Sequence, residues 1–395
     1  MKYSLLIFCL FFSQLVVGKI LVLEHQDFDT KAQHGEKVKS IACKDQSTLC
    51  ILQHSESLVY LENYKMYDDR ITSYDSKDFF EKININLQNT NIVNISIGFQ
   101  SMRLSSRAKI KHENGLDLIA SDIKKTTGDK KLELIELKKV HEKKYQDLID
   151  QAEIFGPRVE GFGNLINNNP KHLFVIASGN GALLSSSSLV NVGGVGLSTD
   201  KGKYKVYPAM INTDNTLKVA AVDNNNSIAK YSNYSLEIVD VAANVEMSPL
   251  SREPLKGTSF AAPKVSRIAS KILKTNPALT PKQTKEIIMK TCDIKNIQQA
   301  INASIDLKTN GKESKTYKSM YHRKRKLRVQ LQNEIGSILL VKSGGTVNES
   351  RALACAQSYL NSKLSIEDTC LKTYSQSHNS NYAKKLKLLW EVRNF

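Results

Sequence analysis

The sequence predicts an α/β fold: a mostly parallel sheet covered by helices on both faces, with a small α+β extension at the C-terminal end. Three observations carry this. First, Ile20-Leu21-Val22-Leu23, Leu173-Phe174-Val175-Ile176-Ala177 and Leu217 to Val222 are short continuous apolar runs, as expected of strands buried on both faces. Second, stretches with apolar residues at helical spacing separate these runs, and strands alternating with helices imply parallel pairing through crossovers. Third, His34, Ser96, Asn180 and Ser259 each follow or cap such an element, which gathers them on one rim beyond the strands' carboxyl ends.

In chain order, Lys2 and the apolar run Leu5 to Val17, closed by small Gly18, read as a secretory signal peptide over residues 1–18. The run is too short to cross a bilayer comfortably, so no transmembrane segment is expected. The mature chain then starts near Lys19 and is secreted or periplasmic. After the first strand, Val38, Ile41 and Ala42 form the i, i+3, i+4 face of a helix that His34 begins. Leu58-Val59-Tyr60-Leu61 is weakly strand-like. Ile92 to Ile97 is a clear strand, with Ile92, Asn94 and Ser96 on one side, a side polar enough to meet an extended peptide.

Residues 102–170 are a long charged insertion. Leu132, Ile135, Lys139, Glu142, Tyr145, Ile149 and Ala152 give a partly apolar stripe, predicting one helix from about Lys130 to Phe155. The 13 basic and 11 acidic residues over 101–170 nearly cancel, so this is a solvated arm or partner surface and not a nucleic-acid site. Further on, Ala262, Val265, Ala269, Ile272 and Leu273 share one helical face. Ser259 thus stands at that helix's N-terminus, with Pro263 in its first turn, where the missing amide has no helical partner anyway. Thr280 caps a further helix with Pro281 at its first position. Residues 309–335 read as a polar basic linker and 336–395 as a small module of unassigned function. Its expected elements are a strand at Ile338 to Val341, a helix from about Asn348 to Lys363, and a loop closed by a disulfide.

The net charge of +17 invites a nucleic-acid or membrane-surface reading, but residues 309–395 hold 16 basic against 6 acidic residues, so the bias belongs largely to the tail. The run His322-Arg323-Lys324-Arg325-Lys326-Leu327-Arg328 could hold an anionic surface or polymer. No aromatic-interleaved motif accompanies it, so no specific nucleic acid is expected. Among the cysteines that remain after Cys9 is removed with the signal, Cys43 with Cys50 and Cys355 with Cys370 form short-loop disulfides. Cys292 is left as a packed core thiol. Their spacing fits no tetrahedral zinc site, and no metal or other cofactor is expected.

Gly257-Thr258-Ser259-Phe260-Ala261-Ala262-Pro263 resembles the serine motif of the subtilisin-like serine proteases, the subtilases. Four further pieces are similar and stand in the same order: His34-Gly35-Glu36-Lys37-Val38, Asn94-Ile95-Ser96-Ile97-Gly98, Ala177-Ser178-Gly179-Asn180-Gly181, and Tyr207-Pro208-Ala209 with Val219 to Asp223. Five ordered matches are far more specific than one short pattern. The resemblance covers roughly residues 19 to 308. It implies a subtilisin-like peptidase domain hydrolysing peptide or protein substrates through a Ser/His/Asp triad. Ser259 would be the nucleophile, His34 the base and Asn180 the oxyanion donor. Ser96, Ile97, Gly98, Ser178 and Gly179 would contact the substrate.

The triad acid lies among Glu24, Asp27 and Asp29. Glu24 occupies the family's aspartate position but is longer by a methylene, and Asp29 is only five residues before His34. Asp27 extends the strand by one alternation and leaves a reach that a short turn covers, so it is the assigned acid, with Glu24 next. Two departures from the family stand out. Ala242-Ala243-Asn244 replaces an Ala-Pro-Gly turn, and the loop before His34 is too short for the segment that carries a calcium ligand in many relatives. The competing reading is an inactive subtilisin-like scaffold acting as a secreted binding protein.

Overall fold

The computed structural model describes residues 18–25, 34–44, 50–55, 76–88, 90–97, 99–102, 106–180, most of 204–250, most of 254–305, 341–375 and 380–393. Six strands form one parallel sheet: β1 (Ile20–His25), β2 (Cys50–Ser55), β3 (Ile92–Ile95), β5 (Leu173–Ala177), β7 (Thr216–Val222) and β8 (Val241–Asn244), in spatial order β2-β1-β3-β5-β7-β8. A separate antiparallel pair joins β4 (Phe99–Met102) to β6 (Tyr204–Tyr207). The chain runs from β1 outward to β2, then returns to β3 on β1's other side. That reversal opens a crevice beyond the carboxyl ends of β1 and β3, where open α/β sheets build their sites.

Strand parity divides the core into two layers. Ile20, Val22, Ile92, Val175, Val219 and Val241 face one cluster, shared with α1 (His34–Ala42), α5 (Thr258–Thr275) and α6 (Pro281–Lys290). Leu21, Leu23, Val93, Phe174, Ala220 and Ala242 face the other, shared with α2 (Ser76–Leu87) and the end of α4 (Asp129–Asn168). Residues on both parities are apolar because both faces are covered, as the unbroken apolar runs require. β2, which the sequence reading did not identify, is the edge strand beside β1. The weak strand expected at Leu58 to Leu61 lies outside the described residues.

The insertion departs from the expected single helix. It holds α3 (Ser106–Lys125) and α4, packed against each other, and α4 runs on through Pro157 to Asn168. Gly128, at φ +66, supplies the left-handed turn between them. Gly156-Pro157 looks like a stop, but burial of Phe162, Leu165 and Ile166 beyond it carries the helix into the core. There Phe80 of α2 meets Phe162 edge-to-face at 5.2 Å.

Thr280 accepts from the Gln283 amide and Gln283 reaches back to Thr280, so α6 has the expected N-cap with its proline, completed as a capping box. Beyond residue 340 the chain adds α7 (Glu349–Leu360), α8 (Ile366–Ser375) and α9 (Ser380–Arg393). Asn348 caps α7 close to the expected position, whereas the expected loop is the helix α8, tied to α7 by the Cys355–Cys370 disulfide. The expected strand before Val341 lies outside the described residues. Cys43 is also disulfide-bonded, and among the described residues Cys292 is free and buried. Burial pushes the Cys292 thiol up to about 12, so it stays protonated.

Candidate active site

The serine helix begins with a glycine for a geometric reason. Gly257, the N-cap of α5, has φ +143, a conformation that side-chain-bearing residues rarely adopt. From that turn the Thr258 N–H donates to Asn180 Oδ1 at 2.8 Å, and the Thr258 hydroxyl donates to the same oxygen at 3.1 Å. The Thr258 hydroxyl in turn accepts from the Gly179 N–H at 3.1 Å. With Oδ1 committed to the helix, Asn180 must present its Nδ2 donors on the other side. That nitrogen lies over Gly257, 3.5 Å from where a Cβ would stand. Among the described residues neither Nδ2 nor the Ser259 N–H has a partner. The helix start therefore offers two donors and the positive end of its dipole to a developing negative charge.

Ser259 follows, buried at 8% exposure, its hydroxyl donating to the Ser96 carbonyl at 3.1 Å. Pro263 is not in the first turn as expected but inside α5, four residues beyond Ser259. Its missing N–H therefore deprives the Ser259 carbonyl of its helical donor. The Ser96 hydroxyl replaces that donor, bonding the Ser259 carbonyl at 2.9 Å. Ser96 Oγ accepts from Asn94 Nδ2 at 2.9 Å, and Asn94 Oδ1 accepts from Ser266 Oγ at 3.0 Å. The polar side of β3 is thus buried against α5. Its side chains repair and anchor the serine helix.

The remaining substrate-contact expectations divide similarly. Ile97 is fully buried in the core layer beneath α2 and α4, and Gly98 lies outside the described residues. Ser178 is fully buried, its hydroxyl and carbonyl paired with the backbone and side chain of Asn233, while both backbone groups of Gly179 are taken by Thr258 and Asn233. The polar groups of these two residues, which precede Asn180, are thus paired within the fold. Tyr231, which the sequence reading missed, meets the Gly257 backbone with its hydroxyl, and burial pushes that phenol's pKa up.

His34 opens α1, and its ring lies 4.9 Å from that of Phe260, the residue after Ser259. α1 and α5 pack together, and a buried cation fixes their relation. Arg267 donates from Nη1 to the Ile41 carbonyl of α1 and from Nη2 to Glu246, each at 2.7 Å, and Lys44 donates to Glu246 at 2.9 Å. Burial would raise the Glu246 carboxyl, but the bonds from Arg267 and Lys44 bring it down to about 2. Asp27 and Asp29 lie outside the described residues, as does the loop in which no calcium ligand is expected. Glu24 is the next-to-last residue of β1, in register with His54 of β2.

Ser259 beside two unspent donors at a helix start, and the His34 ring 4.9 Å from that of the following residue, thus lie together at the rim of a parallel sheet. The Subtilase family model matches residues 22–324, and the chain belongs to that family, whose members are serine endopeptidases. Among solved structures, it resembles the prenylagaramide maturation protease PagA at 13% identity and TM-score 0.40, covering 85% of this chain and 92% of that one. It also resembles the self-cleaved protease domain of PatA at 14% identity and TM-score 0.41, covering 86% and 96%. A cold adapted subtilisin-like serine proteinase gives 13% identity, TM-score 0.35, and 70% and 82%. No curated protein matches the sequence.

Proposed function

We propose that the protein is an exported serine endopeptidase in which Ser259 attacks the scissile carbonyl and His34 takes its proton, later delivering it to the leaving amine. The observation that carries this reading is the Asn180 amide pinned by Thr258, with Nδ2 left unspent beside the Ser259 N–H. The tetrahedral oxyanion would settle between those two donors. The resting hydroxyl proton, held by the Ser96 carbonyl, would swing to His34 on substrate binding. A fluorophosphonate probe tests this on the folded mature protein. Labelling is expected at Ser259 and absent in Ser259→Ala, and failure of the folded wild-type protein to label would sink the proposal.

For the acid, Asp27 remains the sequence assignment, but strand parity now supports Glu24 as its rival. Ile20 and Val22 face the layer that holds α1 and α5, and position 24 continues their alternation. Glu24→Gln, Asp27→Asn and Asp29→Asn on one peptide substrate separate the candidates. The true partner should lose about 10⁴-fold in turnover, because an amide leaves the histidine in the wrong tautomer.

A further inference from the structure

All the proposed catalytic residues precede residue 260, yet the last described stretch, 341–393, is built into the same core. At the sheet edge beyond β8, Lys342 and Ser343 donate their N–H groups to the Val239 and Asp240 carbonyls. Val347 donates to Ala242, and Thr346 exchanges both backbone bonds with Asp293. Gly345 is required at that crossing, since a Cβ there would meet the Asp293 carbonyl oxygen at 2.3 Å. Ala352, Cys355, Ala356, Cys370, Tyr374, Leu389 and Trp390 are buried in one cluster with the α5 and α6 residues Ile272, Ile287 and Ile288.

The segment also supplies charge that the rest of the chain needs. Lys290 of α6 is buried at 1% side-chain exposure, with its ammonium 2.6 Å from Glu367 and 4.5 Å from the centre of the Trp390 ring. Arg351 pairs with Asp293 at 2.6 Å, and Lys271 of α5 pairs with Glu349. The Tyr374 hydroxyl donates to the Cys292 carbonyl at 2.9 Å. Without this segment a broad apolar face of α5 and α6 would meet water, and Lys290 would keep only Glu286 of its own helix, at 3.7 Å.

We infer that residues 341–393 act as a docked subunit of the peptidase, which holds α5 and α6 and stays bound when the chain is cut between residues 306 and 340. Cys355 and Cys370, the segment's two cysteines, pair with each other, so no disulfide would tether it. The contacts above are those of an obligate interface, dominated by buried apolar side chains with paired charges. The inference does not depend on Ser259 being active, since docking is read by co-elution of the fragments.

The test inserts a site for a sequence-specific protease between Gly311 and Lys312 of the full chain, cuts the folded protein without reductant, and applies it to a sizing column. At about 1 μM, where nanomolar affinity leaves nearly every complex intact, both fragments should co-elute at the uncut mass. Fluorophosphonate labelling should stay within about twofold of the uncut rate, as expected when contacts around the site are unchanged. Glu367→Gln, which takes the 2.6 Å partner from the buried Lys290 ammonium and leaves Glu286 at 3.7 Å, should raise fragment dissociation by at least about tenfold, and adding Lys290→Met should reverse part of that rise. Fragments that separate in native buffer overturn the inference, whether or not the larger one still labels. So does a Glu367→Gln protein whose fragments hold together as tightly as wild type.

Discussion

Pro263 lacks the amide that would bond the Ser259 carbonyl, and the hydroxyl that repairs the gap comes from Ser96, in a strand terminus 163 residues earlier in the chain. The two defects are coupled, so their removal should not be additive. Ser96→Ala takes the partner from the buried Ser259 carbonyl and from Asn94 Nδ2. It should cost about 1–3 kcal/mol and lower kcat more than it raises KM. In the Pro263→Ala background a backbone N–H becomes available at position 263, and the same substitution should cost measurably less. Urea unfolding of the four proteins of that cycle checks this, and equal costs in the two backgrounds would remove the repair argument. Asn180→Ala tests the donor at the same scale: about 10²- to 10³-fold lower kcat is expected, with folding retained in far-UV circular dichroism.

Helices α1 and α5 carry His34 and Ser259, the two side chains proposed to react, and Arg267 binds the helices together through the Ile41 carbonyl and Glu246. Arg267→Met keeps the buried stem but removes both bonds. A loss of about 1–3 kcal/mol is expected by the worth of hydrogen bonds to charged groups, with a lower kcat/KM for any peptide substrate. The effect has a pH signature. The Glu246 carboxyl is lowered from 4.5 to about 2, so its contribution is present above pH 4.5 and is lost as pH falls through about 2. In Arg267→Met that acid-side loss should shrink, visible as a flatter dependence of the melting temperature between those values. An unchanged acid limb would mean that Arg267 does not set the Glu246 charge.

Across the whole molecule, the far side of the sheet holds a buried charge cluster. Lys218 and Asp240 are both fully buried and 3.2 Å apart, and Lys285 and Lys342 reach the same carboxylate at 3.4 and 3.3 Å. Burial lowers the Lys218 ammonium to about 7 despite its partner. Burial alone would raise Asp240, but the three ammonium groups and the Lys218 N–H hold it well below the usual carboxylate range. The signs follow from proton uptake. Between about pH 7 and 10.5 the unfolded chain binds a proton at Lys218 that the folded chain does not, so stability rises with pH across that window. Lys218→Met should flatten the rise between pH 7 and 9 in thermal melts, and parallel curves for the two proteins would refute this account of the cluster.

Much of this was legible along the chain. The apolar runs at β1, β5 and β7 forced a sheet covered on both faces, because side chains on both parities had to leave water. Ser259, Asn180 and His34 could be proposed as site residues because their neighbours are local: a glycine turn, a helix start, a strand end. What local pattern could not show was where polar groups find their partners. The Ser96 hydroxyl, the Arg267 guanidinium and the Lys290 ammonium look like ordinary surface chemistry in one dimension. Each is satisfied by residues far away in sequence, Arg267 at Ile41 across 226 positions. The same holds for α4 beyond Pro157 and for residues 341–393, which read as a broken helix and an appended module until packing gave their apolar faces something to cover. Sequence period determined which elements form. Only tertiary structure decided which buried donor meets which acceptor, because that pairing depends on distances set by the finished sheet and not on spacing along the chain.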